Sequence, residues 1–321
     1  MSEPLHQLLI DTDPGVDDAL AILLAYAHPD ARVRALTTTA GNVGLDSTTR
    51  NALKLLEVIG ADTPVYPGAT EPIERKEEYA AYVHGLDGFG DTGFLEPARG
   101  AEPEHAAMAM VRLARAHPGE LTFVMLGPLT NLALALTLDP GLPRRVRRLV
   151  VMGGSVHGRG NLSRLPVEFN FGFDPEAAHI VLTHWPMVEL VDWQATLDHG
   201  LPFGQMESWL EADNPRARFY AAISRKARSW MQRTRSTEHW HIADALAMAA
   251  VLAPEAVLER HERHVQLELD GSRSRGMSIV DWDGRGGQKE NASIATRFDL
   301  ERFAGLIRLA LGAAPGAAPA G

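Results

Sequence analysis

The sequence predicts an α/β protein built on a mostly parallel, Rossmann-like open sheet with helices on both faces. Three observations carry that reading. Short apolar runs recur along the chain, each closed by turn residues and followed by a segment of helical periodicity. Polar residues gather just after those runs, where open parallel sheets bind their ligands and place their active sites, outside the carboxyl ends of the strands. No apolar run is longer than that from Ala19 to Ala27, which has nine residues, about half of the ~18 that a membrane span requires.

Taken in order, Leu8 to Ile10 reads as the first strand, the turn around Pro14-Gly15 follows, and a helix runs from Asp18 to Ala27. Val33 to Thr38 is the second strand, ahead of Ala40-Gly41-Asn42 and a helix from about Ser47 to Ile59. Leu121 to Leu126 leads through Gly127-Pro128 into a helix from Leu129 to Leu138. Val146 to Met152 ends at Gly153-Gly154, and Met187 to Val191 follows a helix that starts at Pro175 and runs to Leu182. Right-handed crossovers put all these strand ends along one edge, so their polar residues should converge. Pro67 to Gly100 holds six glycines and reads as a long mobile loop, either a lid over a site or a disordered surface loop. With no internal repeat and no long linker, residues 1–311 read as one domain. Gly312 to Gly321, made only of Gly, Ala and Pro, reads as a disordered tail.

The formal net charge is −10. That argues against nucleic acid as a partner, because phosphates must be neutralised, and against an anionic membrane surface. Cysteine is absent, which removes disulfides, thiolate metal sites and cysteine nucleophiles together. Met1 to Gln7 lacks the basic and apolar regions of a signal peptide, so the expected location is cytoplasmic.

Asp11-Thr-Asp-Pro-Gly-Val-Asp-Asp places four carboxylates within eight residues, straight after the first strand. Helix capping and a polar turn account for one or two of them. Four together repel unless a cation or shared protons offset them. An all-oxygen set suits Ca²⁺ or Mg²⁺, and the lack of a nearby His argues against zinc and copper. Counted from Asp11 as a helix-loop-helix calcium loop, the sixth position is Val16 and the twelfth Ile22, where that loop requires Gly and Glu. A Mg²⁺-dependent phosphohydrolase with an Asp11 or Asp13 nucleophile is the rival enzyme. It wants basic phosphate ligands at strand ends, where this chain has Asn, Gly and Asp.

The other strand ends supply Asn42, Gly127 to Asn131, Met152-Gly153-Gly154, Asn161, Glu168-Phe169-Asn170, and His239-Trp240-His241-Ile242-Ala243-Asp244 before an apolar helix from Ala245 to Leu252. Taken singly, Asn42 and Asp244 read as turn and helix caps. Glu168-Phe169-Asn170 reads as a buried apolar residue flanked by two polar ones that need partners.

Taken together, these residues resemble the nucleoside hydrolases, the inosine–uridine-preferring nucleoside N-ribohydrolases. The octet and Ala19 match that family's signature, and the likeness continues in order through Asn42, His84-Gly85, Gly127 to Asn131, Met152 to Gly154, Asn161, Glu168 to Asn170 with Asp174, and Asp244. The resemblance implies a tightly bound Ca²⁺ held by Asp13, Asp18, Asp244 and the backbone carbonyl of Leu126. It implies ribose hydroxyls held by Asp17, Asn42, Asn161, Glu168 and Asn170, with Asp244 sharing in this. Met152 and Phe169 would line the sugar and base walls, His84 would lie near the base in the mobile loop, and Asp11 would support the first shell.

The implied reaction is hydrolysis of the N-glycosidic bond of ribonucleosides to ribose and free base, with Asp13 taking the proton of a calcium-bound water. The substrate is a small molecule and the assembly a homodimer or homotetramer, as members commonly form. This chain departs from the best-known branch at the leaving group. There a histidine directly precedes the calcium aspartate; here that position is Ala243, which leaves His241 or His239 as substitutes. Trp230 and Trp240 are candidates to stack on a base. A non-catalytic nucleoside or ribose binder is the alternative from another class, favoured by Ala243 and opposed by the retained Asp13.

Overall fold

A computed structural model describes residues 5–74, 79–94, 96–163, 166–235 and 237–314. Most of the expected tail, residues 315–321, and positions 75–78 and 95 of the expected lid lie outside that set.

Eight strands form the main sheet. In chain order the first six are β1 (His6–Thr12), β2 (Ala31–Thr38), β3 (Val65–Pro67), β4 (Leu121–Met125), β5 (Arg148–Met152) and β6 (Val188–Val191). Across the sheet the order is β3-β2-β1-β4-β5-β6, then strand Ala292–Phe298, then strand Val257–Arg263. All neighbours are parallel except the last pair. The chain leaves β1 outward through β2 and β3, then crosses back to place β4 on the other side of β1. That reversal opens a crevice between the carboxyl ends of β1 and β4, where this architecture binds ligands.

The strands are apolar on both faces because both faces are covered. Leu8 and Ile10 point into one core with helices Val16–Ala27, Ala243–Leu252 and Leu300–Ala310. Leu9 points into the other, with helices Ala106–Ala116, Thr130–Leu138 and Pro175–His184. Helix Val16–Ala27 is buried all round apart from Asp17 and its last two residues. Its N-cap, Gly15, has no side chain to offer, and the Asp18 carboxylate accepts the Gly15 N–H instead (3.0 Å).

The structure moves several sequence-based boundaries. β1 extends through Thr12, so Asp11 is a strand residue rather than part of the turn, and the first helix starts at Val16, not Asp18. The antiparallel edge strand and the 21-residue helix Pro215–Arg235 belong to regions without a clean strand–turn–helix rhythm. That helix carries the middle of the glycine-rich segment, around Phe89 to Asp91, on its flank. Phe89 is buried edge-on against Phe219 (5.5 Å), Asp91 pairs with Lys226 (2.5 Å), and a Cβ at Gly90 would lie 2.5 Å from the Ile223 carbonyl.

Candidate active site

Asp13 follows β1 directly, at the reversal point. Its Oδ2 accepts the Asn42 backbone N–H (2.7 Å), which ties the end of β1 to the turn after β2. Two glycines clasp the carboxylate: a Cβ at Gly41 would lie 2.1 Å from Oδ2, and one at Gly127 2.5 Å from Oδ1. Those turns carry glycine because Asp13 occupies the space a side chain would need. Behind it, Asp11 is fully buried and accepts from Thr37 Oγ1 (2.6 Å) and Asn131 Nδ2 (2.8 Å). Burial pushes the Asp11 carboxyl up to about 7 despite both donors.

Asp18 is fully buried and accepts from Thr12 Oγ1, Gly15 N and Asn42 Nδ2. Carboxylate oxygens of Asp17, Asp18 and Asp244 lie within 4.8 Å of one another. Asp13 stands outside that tight triple, although it acts electrostatically on Asp244. Burial first, and the neighbouring carboxylates second, raise Asp13 and Asp244 well above the carboxylate range. Asp18 is raised by burial and by Asp17, and burial takes Asp17 to about 6.

His84 ends a single helical turn, Ala81–His84. It is buried, and its Nδ1 accepts the Val16 N–H (3.1 Å) across 68 residues of sequence. Burial lowers its pKa to about 4, against the pull of Asp18. The loop residue expected near a base is thus also a cap on the helix that carries Asp17 and Asp18.

Glu168 and Asn170 come from the short helix Phe169–Phe173 and its N-cap. Glu168 accepts three backbone N–H groups, from Gly154 (2.8 Å), Asn170 (2.8 Å) and Phe171 (3.1 Å), yet burial still lifts it to about 7. Asn170 Nδ2 donates to the carbonyls of Leu126 (2.6 Å) and Met152 (3.2 Å), joining the ends of β4 and β5. Here the sequence reading needs correction: the two polar residues are buried, and Phe169 between them is the partly exposed one, on the cleft wall.

All the candidate residues except Asp11, Asp18 and His239 line one cleft, so of the two substitute histidines only His241 reaches it. The convergence expected of strand-end residues therefore holds for Asp13, Asn42, Leu126, Met152, Asn161 and Asp244, drawn from five stretches of the chain, since Met152 ends β5 and Asn161 lies in the connection after it. Asn161 Oδ1 and Asp17 Oδ1 are buried in it without a hydrogen-bond partner. The outer wall adds Tyr82, Trp193, Ala227 and Met231 to the expected Trp230 and Trp240. Ala227, Trp230 and Met231 follow the i, i+3, i+4 spacing of one helix face, a pattern open to view in the sequence but masked by the helix's many arginines. Ala243 opens its helix inside the cleft, and His241 reaches the same cleft while leaning on Gly200, whose Cβ would lie 2.7 Å from the ring.

The floor fits a hard divalent cation. Its donors are carboxylates and a main-chain carbonyl, the acids are buried and mutually repulsive, and Asp17 holds an orphaned acceptor oxygen.

Comparison with known proteins agrees with the geometry. The family model described as inosine-uridine preferring nucleoside hydrolase matches residues 8–305. The non-specific ribonucleoside hydrolase RihC of Salmonella agona (strain SL483) is 36% identical over 303 residues, covering 94% of this chain and 96% of that protein. A solved inosine-guanosine nucleoside hydrolase superposes with a TM-score of 0.90 at 32% identity, covering 97% of this chain and all of the other. A plant nucleoside hydrolase, PpNRh1, gives 0.89 at 32% identity, with 96% and 99% coverage. The chain belongs to the inosine-uridine preferring nucleoside hydrolase family.

Proposed function

We propose that this chain hydrolyses the N-glycosidic bond of ribonucleosides, releasing ribose and free base, with calcium as its resident cation. The observation that carries the reading is the acidic floor of the cleft: Asp13, Asp17 and Asp244 face one space, and Glu168 and Asn170 close its side. Asp18, Asp244, Asp13 and the Leu126 carbonyl would hold the ion, with Asp17 bordering it. The ion supplies Lewis acidity toward a water.

Asp13 takes the proton. Clasped by Gly41 and Gly127 and held by the Asn42 N–H, it has a fixed attitude toward the cleft, as a general base requires. Asp17, Asn42, Asn161, Glu168 and Asn170 bind the ribose hydroxyls. Their carboxylates favour the positive charge that grows on the sugar as the base departs. The aromatic outer wall takes the base, with Met152 and Phe169 beneath it and His84 at its edge. His241 is the proposed proton donor to the leaving base. No Lys or Arg lines the cleft among the described residues, which disfavours a phosphohydrolase.

Reducing-sugar release from a panel of ribonucleosides, with and without a strong calcium chelator, tests the reading. Calcium-dependent release supports it. No release from any nucleoside by metal-loaded protein would favour a binding-only role. Asp13→Ala should abolish turnover while the melting temperature is kept; near-wild-type rates would remove Asp13 as the base.

A further inference from the structure

A hairpin outside the main sheet packs on helix Phe169–Phe173, which with its N-cap supplies Glu168 and Asn170 to the cleft. The hairpin strands, Val265–Leu267 and Ser278–Val280, pair antiparallel, and residues 268–277 join them. That loop carries Arg275, which is 6% exposed. Arg275 Nη2 donates to Glu176 Oε1 (2.5 Å), in the first turn of helix Pro175–His184, and Nη1 donates to the Leu269 carbonyl (2.9 Å). One guanidinium thus closes its own loop and ties that loop to the helix that follows Phe169–Phe173. The next residue, Gly276, has φ +90°, and a Cβ there would lie 2.9 Å from Gly172 Cα and 3.1 Å from the Phe171 carbonyl oxygen. Backbone meets backbone at that point, with no side chain between them to yield. Ser278 completes the contact. Its Oγ accepts the Ser155 N–H (3.1 Å), beside the Gly154 N–H that Glu168 accepts (2.8 Å).

The ion pair is a poor device for stability alone. Arg275 Nε and Glu176 Oε2 are buried without a partner, so both charges leave water and each is only partly satisfied. Apolar side chains of similar volume would fill the space without that cost. What the pair adds is direction, because a planar guanidinium held at two nitrogens fixes the loop at one distance from the helix.

We propose that Arg275 is a positioning residue for the ribose site: paired with Glu176, it seats the hairpin so that Gly276 and Ser278 hold Glu168 and Asn170 at the depth where they meet the sugar hydroxyls. The inference rests on Glu168 and Asn170 binding ribose, as proposed above.

The test is the double variant Arg275→Met with Glu176→Leu, which removes both charges together and should keep or raise the melting temperature. At saturating calcium, kcat/KM is measured on the preferred ribonucleoside and on its 2′-, 3′- and 5′-deoxy forms. The expected result is a loss on the order of tenfold or more on the full ribonucleoside. The wild-type penalty for a missing hydroxyl should shrink for the one or two that Glu168 and Asn170 hold, and persist for the rest. Equal losses on all four substrates, or no loss, would overturn the proposal. Each ratio compares substrates within one variant, so it holds even if part of the variant fails to fold. If the wild-type protein binds ribose but cleaves no ribonucleoside, the catalytic reading fails alone. Calorimetric affinities for ribose and its deoxy forms then give the same ratios, and unchanged ratios would overturn the role of Arg275.

Discussion

Removing the divalent cation should make this protein less stable, and more so as the pH rises. The perturbation is a strong chelator, with metal loss verified by elemental analysis. Asp17, Asp18 and Asp244 present carboxylate oxygens within 4.8 Å of one another. At an effective dielectric of ~20, each pair of unit charges at that spacing costs about 3.5 kcal/mol, and three pairs about 10. That rivals the ~5–15 kcal/mol by which a whole domain is stable. Without an ion, the folded protein therefore retains protons on these groups, in line with the rise of Asp17 from 3.8 to about 6.

The sign follows from linkage. A folded-state value above the unfolded one gives stability that is full below about pH 4 and gone above about pH 6. For Asp17 alone the loss is at most about 3 kcal/mol, since its side chain keeps some contact with solvent in the cleft. For a chain of this length the unfolding entropy is roughly 0.7 kcal/mol/K, so the loss is worth about 4 °C. Scanning calorimetry at pH 5 and pH 7.5, chelated and calcium-loaded, reads it. The chelated protein should melt lower at pH 7.5 than at pH 5, and calcium should restore the difference at the higher pH. Identical melting in chelated and loaded protein at both pH values would refute the cation site.

Three further outcomes follow from the same geometry. Gly41→Ala places a methyl 2.1 Å from Asp13 Oδ2 at an ordinary φ, so the protein should fold while kcat/KM falls by about a hundredfold or more; retained activity would show that Asp13 can move freely. Asn131→Ala removes bonds to Asp11, to the Thr38 carbonyl and from the Ala69 N–H, and urea unfolding should show a loss of about 2–4 kcal/mol. His241→Ala should slow purine nucleosides more than pyrimidine ones in a parallel rate assay, and an equal effect on both would return His241 to a packing role.

Five strands of the parallel sheet, β1, β2, β4, β5 and β6, were legible as short apolar runs closed by turn residues, whereas the three-residue β3 and strand Ala292–Phe298 were not. A strand buried on both faces needs apolar side chains throughout, and its last residue meets a turn. Helix Pro215–Arg235 was not legible, since its apolar face is broken by arginines that extend outward while Ala227, Trp230 and Met231 face the cleft. The edge strand Val257–Arg263 reads Leu-Glu-Arg-His-Glu-Arg through most of its length, a polar string recruited by pairing with Ala292–Phe298 rather than by its own pattern. Within the site, the octet announced a charge cluster, but which three oxygens draw closest depended on helix geometry. Positions 17 and 18 leave on one helical turn at the floor, whereas Asp13 is drawn toward Asn42 and its two glycines.

The same geometry separates the two imidazoles of the cleft by role. His84 Nδ1 accepts the Val16 N–H, so its proton resides on Nε2 and the ring is neutral. Burial reinforces this by lowering its pKa to about 4. A neutral imidazole with one nitrogen committed to a helix cap can donate a hydrogen bond to a base but cannot serve as its acid near neutral pH. Charging it would also turn the Val16 contact into two facing donors and loosen the helix start that bears Asp17 and Asp18. On the proposed reading, protonation of the departing base would fall to His241, which lines the cleft together with Ala243. If His84→Ala chiefly weakens cation affinity and His241→Ala chiefly slows base release, the two rings have divided these tasks as proposed; the reverse pattern would undo the assignment.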